Sequence, residues 1–243
     1  MTYYQTNSFD IFHDIVDGYR KSFGVTKTHM MRNVRMSSIL EEMAANLMKG
    51  KANDVKAAVQ KALDEGLEPN TILTEGLLSG MGVIGERFKK NEVYVPEVLI
   101  AARAMKAGME ILQPALVSSG VEPRGIAVVG TVKGDLHDIG KNLVCMMLEG
   151  AGLKVVDIGI DVDPAKFVEQ AKANNAKVIG VSALLTTTMT NMKAVVDAVK
   201  ESGIDAKVMI GGAPVTQAFC DEIGADGYAP DAASAADLAV SLL

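Results

Sequence analysis

Asp135 and His137 stand two residues apart, and Gly140 follows three later, in Gly130-Thr131-Val132-Lys133-Gly134-Asp135-Leu136-His137-Asp138-Ile139-Gly140-Lys141-Asn142. At that spacing a carboxylate can hold one imidazole nitrogen and leave the other as a lone-pair donor to a metal. His137 is the only histidine outside residues 1–35, and it sits on a glycine-rich loop rather than on an apolar stripe. No second histidine is nearby, and Cys145 and Cys220 lie far outside ligand spacing, so the chain alone cannot hold a free metal ion here. One imidazole suffices where a macrocycle supplies the other coordination positions. The plainer alternative is a loop histidine that caps the following helix. Two more loops carry candidate binding groups. Val181–Met189 offers Ser182, Leu184, Thr186 and Thr188, as hydroxyls of a crevice or as caps for a helix from about 190. Gly211-Gly212-Ala213-Pro214 lets a flat or bulky group approach the backbone, or turns the chain before a helix opened by Pro214. No Gly-Lys-Ser/Thr is present and Gly125–Gly130 does not read G-x-G-x-x-G, which makes nucleotide readings weak.

The elements around these loops alternate. Runs rich in β-branched residues fall at Ile126–Val129, Val155–Ile158, Val178–Ser182, Val208–Ile210 and, more weakly, Gly227–Ala229. Helical segments lie between them at about 138–150, 164–174, 190–202, 214–223 and 232–242. Apolar strands alternating with helices imply an α/β domain over 124–243, a five-stranded parallel sheet covered on both faces in the flavodoxin-like (Rossmann-like), doubly wound manner. In that order the ligand crevice opens at the carboxyl ends of the first and third strands, where the His137 and Ser182 loops fall. Upstream the period is helical. Ser38-x-x-Glu41 reads as a capping box, Val55, Ala58, Val59, Ala62 and Leu63 form one stripe, Pro69-Asn70 opens a third helix and Pro96 a fourth. These predict a four-helix bundle over 36–113 and a linker at 114–123, between Pro114 and Pro123. Gly76, Gly80, Gly82 and Gly85 inside the third helix suggest close approach of another backbone or a flat ligand.

Composition narrows the class. The 243 residues carry a net charge of -6 with 49% hydrophobic residues. No apolar run reaches the ~18 residues that span a bilayer, and the acidic balance argues against binding nucleic acid. Two cysteines are too few for a disulfide framework, so a reduced, cytoplasmic setting is expected. Residues 1–35 differ from the rest: they hold six of the eleven aromatics and a charge of about +2, without the apolar core of a secretory signal. They read either as a poorly ordered extension or as an arm, with Phe9–Phe23 able to form a short amphipathic helix, that docks on a partner or on a second copy to give a homodimer.

Taken together, Asp135/His137/Gly140, Ser182/Leu184 and Gly211/Gly212 resemble the D-x-H-x-x-G, S-x-L and G-G motifs of the cobalamin-binding domain of the methionine synthase type. The helical cap ahead of the domain matches that family as well. More narrowly, Gly85-Glu86-Arg87-Phe88, Tyr94-Val95-Pro96-Glu97 and Asp226–Ala232 resemble the free-standing corrinoid proteins of methyltransferase systems acting on methylamines, methanol or methoxylated compounds. The resemblance implies cobalamin as cofactor, with His137 as the lower axial ligand of cobalt. Asp135 would tune His137, with Ser182 or Thr188 supplying a hydroxyl behind it. Gly134, Leu136, Asp138, Ile139 and Gly140 would complete the loop under the corrin, and Thr186 would join the hydroxyls of the crevice. The nucleotide tail would run past Ser182, Leu184, Gly211, Gly212, Tyr228 and Ala229. The cap would cover the upper face through Tyr94, Val98, Ala102 and Met105, all of which also suit plain bundle core.

The implied function is a methyl carrier in one-carbon metabolism. Cobalt(I) would accept a methyl group from a substrate:corrinoid methyltransferase and yield it to a methylcorrinoid:acceptor methyltransferase using coenzyme M or tetrahydrofolate, with a reductive activase as third partner. The rival readings are a cobalamin subunit of an adenosylcobalamin mutase and a cobalamin-dependent light-sensing regulator. Residues 1–35 are too short for the regulator's winged-helix domain.

Overall fold

The computed structural model describes residues 27–243. The expected Phe9–Phe23 helix, and a dimer contact through it, lie outside them. Helix α1 spans Lys27–Met48. This moves the expected start at Ser38 and the boundary at 35/36: with no Gly or Pro in the segment, the helix runs straight through the Ser38-x-x-Glu41 pattern. Helix α2 (Ala52–Asp64) buries Val55, Ala58, Val59 and Ala62, the stripe its spacing predicts. The third run opens at Pro69, passes through a π-helical stretch at Ile72–Leu78 and ends as Ser79–Lys89; together these form α3.

Two of the α3 glycines make room for protein. A Cβ at Gly76 would meet Met43 Sδ at 2.6 Å, and one at Gly80 the backbone of Ala44 at 3.2 Å. Helix α4 (Val95–Ser118) opens with Tyr94 N–H donating to Glu97 Oε2 at 3.1 Å. It passes through Pro114, where a linker is expected. Pro inside a helix costs about 3 kcal/mol, but Leu112 and Leu116 on either side are buried and hold the last turn in place. The Ser118 and Ser119 hydroxyls both donate to Ala115 O. The connection to the next domain therefore shrinks to 119–125.

The sheet has the order β2-β1-β3-β4-β5, parallel throughout, as the flavodoxin-like reading requires. The strands are β1 (Ile126–Thr131), β2 (Lys154–Asp157), β3 (Val178–Ser182), β4 (Lys207–Gly211) and β5 (Gly227–Ala229). Helices α5 (Ile139–Gly150) and α10 (Ala232–Ser241) share the core of one face. Helices α6 (Pro164–Asn174), α8 (Asn191–Ser202) and α9 (Gln217–Ile223) share that of the other, around the fully buried Phe167. A short helix α7 (Thr186–Met189) follows β3. Helix α9 starts at Gln217 rather than at Pro214, because Thr216 Oγ1 caps it by accepting from Phe219 N–H at 3.2 Å.

The bundle and the α/β domain share one apolar core. It runs from Met43, Leu77, Met81 and Leu112 in the cap, through Met147, Leu148, Ala233 and Ala236, to Val129 and Met209 in the sheet. Small residues line the seam: a Cβ at Gly85 would meet Met147 Cε at 3.1 Å, and one at Gly150 would meet Met81 Cε at 3.0 Å. Lys89 at the end of α3 pairs with Asp237 on α10 across it. Both cysteines are buried and free; burial pushes the Cys145 thiol up to about 12 and raises Cys220 as well. Among the described residues, no helix is long and apolar enough to cross a membrane.

Gly85→Leu should wedge α3 off α5 and α10 without touching the far face of the sheet. Trypsin should then cut after Arg124 several times faster than in the native protein, leaving a folded α/β fragment. An unchanged cleavage rate would show that the seam does not hold the cap.

Candidate metal centre

The site forms where β1 and β3 end side by side. Thr131, last in β1, is in register with Ser182, last in β3, so the loops that follow share one crevice. Val132 N–H extends the pairing to Ser182 O at 3.0 Å. A turn follows, with Asp135 N–H donating to Val132 O at 3.1 Å and Gly134 in the third position at φ +81°. That is the type II geometry, which glycine adopts at least cost. The turn sends the Asp135 side chain inward, fully buried, while the His137 side chain is left 49% exposed.

The Asp135 carboxylate gathers donors from both loops. Oδ1 lies 2.7 Å from His137 Nδ1 and accepts from His137 N–H at 3.1 Å. Oδ2 accepts from Leu184 N–H at 2.8 Å and from Thr188 Oγ1 at 2.6 Å. Burial works to raise this carboxyl, but the Thr188, Leu184 and His137 donors outweigh it and hold Asp135 well below the ordinary carboxylate range. An ionised Asp135 can only accept, so His137 Nδ1 must carry the ring proton. Nε2 is then left with its lone pair, as a metal ligand needs. Thr131 Oγ1 fixes the other side of the residue by donating to His137 O at 2.9 Å.

Of the two hydroxyls considered for the place behind Asp135, the geometry selects Thr188. It is buried on α7, whereas Ser182 is half-buried and gives its carbonyl to Val132. Leu136, Asp138, Ile139 and Gly140 ring His137 at the surface, with Leu136 68% and Ile139 79% exposed; Leu184 and Thr186 stand open on the facing loop. The paired glycines serve the protein's own backbone. Gly212 has φ +134°, and a Cβ there would lie 1.8 Å from Ala183 O; one at Gly211 would lie 3.2 Å from Ala229 O. Tyr228 is half-buried and Ala229 buried in β5, in register with Ile210 and Gly211. On the cap, Val98 and Met105 fall inside the bundle core and Ala102 is partly covered, because the α4 spacing that aligns them is also the inward stripe; Tyr94 stands exposed.

Sequence reading missed Lys141. It is buried in the first turn of α5, donating to Asn142 Oδ1 at 2.7 Å and pairing with Asp157 at the end of β2. A lysine on an otherwise apolar helix face was the only signal. Among the described residues no group of three or more His, Cys, Asp or Glu is placed to hold a metal.

Comparison with known proteins shows the family. A family model described as a B12 binding domain matches residues 125–237, and a second of the same description matches 39–113. A dimethylamine corrinoid protein of Methanosarcina acetivorans is 46% identical over 208 residues, 84% of this chain and 97% of its own. This chain is a corrinoid protein. It belongs with the corrinoid proteins of methyltransferase systems, and cobalamin is its cofactor. A corrinoid protein of Desulfitobacterium hafniense is 41% identical over 85% of this chain and 98% of its own. Among solved structures, a chain of the methanol:cobalamin methyltransferase complex from Methanosarcina barkeri is similar over 99% of this chain and 93% of its own, with TM-score 0.75 and 27% identity. A cobalamin-binding protein of D. hafniense is similar over 84% of this chain and 98% of its own, with TM-score 0.71 and 32% identity.

The residues present suit a corrinoid. One imidazole, without companions to complete a coordination sphere, fits a metal that brings its own macrocycle. The exposed apolar side chains around His137 offer a surface that a flat macrocycle would cover.

Thr188→Val should cost about 1–3 kcal/mol of stability in the cofactor-free protein, because a buried carboxylate loses a charge-assisted donor. Asp135 should also set a pH dependence. Its folded pKa is depressed, so its contribution is complete above the unfolded value of about 3.9 and drains as pH falls towards the folded value. In urea unfolding from about pH 6 down to about pH 2, Asp135→Asn should start less stable and lose less on acidification than the native protein.

Proposed function

We propose that His137 Nε2 is the lower axial ligand of cobalt and that the chain carries methyl groups between two methyltransferases. The observation that carries this reading is the ionised, buried Asp135 on His137 Nδ1, which leaves the second nitrogen at an exposed apolar rim. When bound, cobalamin supplies a cobalt centre able to accept a methyl group and release it again. The rest is the work of the chain. Asp135 and Thr188 hold the imidazole in one tautomer and one orientation. The exposed side chains of Leu136, Ile139 and Leu184 would give the bound macrocycle an apolar surface, and a Cβ at Gly140 would meet nothing within 4 Å. Ser182, Thr186, Gly211, Gly212, Tyr228 and Ala229, at or beyond the ends of β3, β4 and β5, would hold the nucleotide tail. On the cap, the exposed Tyr94 would meet the bound cofactor, with Val98, Ala102 and Met105 stiffening the helix behind it, and the cap would keep water from the metal.

The match of a second B12 binding model to residues 39–113 supports a carrier over a mutase subunit, which generally lacks this cap. Relatives named for dimethylamine and trimethylamine, and a structural neighbour named for methanol, support a donor among small methylated compounds. The partners are a substrate:corrinoid methyltransferase, an acceptor methyltransferase using coenzyme M or tetrahydrofolate, and a reductive activase. Each transfer requires the cap to swing aside, with the hinge at 119–125, where α4 has ended.

His137→Ala should retain bound cobalamin but shift its absorbance and midpoint potential; an unchanged spectrum would remove His137 from cobalt. Native protein loaded with methylcobalamin should lose its methyl group in the dark when given an acceptor methyltransferase and its thiol or folate. Loss only under illumination would favour the regulator reading.

A further inference from the structure

The loop from β2 to α6 reaches across to the His137 loop, and one residue in it makes an unusual investment. Asp161 has φ +53°, a left-handed conformation that costs a non-glycine residue stability. Its neighbours are tightly held. Thr131 N–H donates to Gly159 O and Val162 N–H to Thr131 O, both at 3.0 Å, and Val132 pairs with Val162 in a parallel bridge. Between these anchors Asp161 makes two bonds to adjacent residues of the ligand loop. Its Oδ1 accepts from Gly134 N–H at 2.8 Å, and its own N–H donates to Asp135 O at 3.0 Å. Lys133 lies 3.6 Å from the same carboxylate and 3.4 Å from Asp163, but as an exposed pair it adds little.

We infer that Asp161 is a positioning residue for the axial histidine, clamping the backbone at Gly134 and Asp135 so that the Asp135 carboxylate meets His137 Nδ1 at a fixed angle. Donors from the loop after β3 and from α7 hold the carboxylate end of Asp135; Asp161 holds its backbone end from the β2 side. Without the second grip the turn can rock about its ends, and any rotation at Gly134 or Asp135 carries through the short Asp135 side chain to the imidazole. Glycine would take the left-handed conformation more cheaply, so an Asp there is explained by its side-chain bond. The inference rests on His137 as cobalt ligand for its consequence, though the clamp itself is a property of the cofactor-free chain.

Two variants separate strain from clamp. Asp161→Gly keeps the backbone conformation and deletes the acceptor; Asp161→Asn tolerates the conformation and retains an oxygen for Gly134 N–H. In the cofactor-free full chain, amide exchange at Gly134–His137 should be about tenfold or more faster in Asp161→Gly, with the remaining amides unchanged, and near native in Asp161→Asn. In protein carrying 15N-histidine, loaded with unlabelled cobalamin and reduced to cobalt(II), a two-line nitrogen splitting in the electron paramagnetic resonance spectrum reports the imidazole on cobalt, whereas the cofactor's own base would give three lines. Asp161→Gly should lose a large part of that signal and Asp161→Asn should restore it. Native-like exchange and splitting in Asp161→Gly would overturn the clamp, as would equal losses in both variants, which would point to the charge facing Lys133. If native protein itself shows no two-line splitting, the axial-ligand reading fails, and the exchange rates alone decide the clamp.

Discussion

A buried carboxylate that must stay charged organises this protein. Asp135 is out of contact with water, and an isolated anion there would be strongly destabilising. It is tolerated because donors arrive from two directions, His137 on its own loop and Leu184 and Thr188 on the loop after β3. Those loops meet only if β1 and β3 are neighbours running the same way, which the 2-1-3-4-5 order provides. The topology, the type II turn at Gly134 and the short helix carrying Thr188 are thus conditions for one ionised group. That group in turn sets the proton on the imidazole.

The helical cap is tied to this arrangement through the core rather than through a tether. Helix α4 is about 36 Å long at 1.5 Å per residue. Its last turn leads into β1, and it packs on α5, the helix that begins just after His137. The cap and the near face of the sheet share one apolar interior, with glycines and methionines at the contact. Methionine adapts to altered neighbours more readily than branched side chains do, so such a seam can be parted and reclosed with less loss of fit than a leucine-zippered one.

Most of the fold was legible because the strands are short, apolar and regularly spaced, and strand–helix alternation admits few topologies. Val178–Ser182 and Gly227–Ala229 were placed to the residue. What escaped were boundaries decided by tertiary packing: α1 ignores a local capping signal at Ser38, and α4 continues through Pro114 because Leu112 and Leu116 are anchored. At the site, the spacing of Asp135 and His137 announced the carboxylate–imidazole pair. The choice of Thr188 over Ser182 depended on where α7 points, which no spacing encodes. Gly211 and Gly212 looked like room for a ligand, yet the atoms nearest them belong to Ala229 and Ala183. Lys141 was invisible because its partner, Asp157, is brought to it only by the sheet.

The proposed methyl carriage gives the two cysteines a meaning. Thiolates are good methyl acceptors, and a carrier holding one within reach would alkylate itself. With its thiol pushed up to about 12 by burial, Cys145 stays protonated at neutral pH. Cys220, also buried and raised, lies beneath the opposite face of the sheet. The chain thereby keeps its own sulfur out of such chemistry.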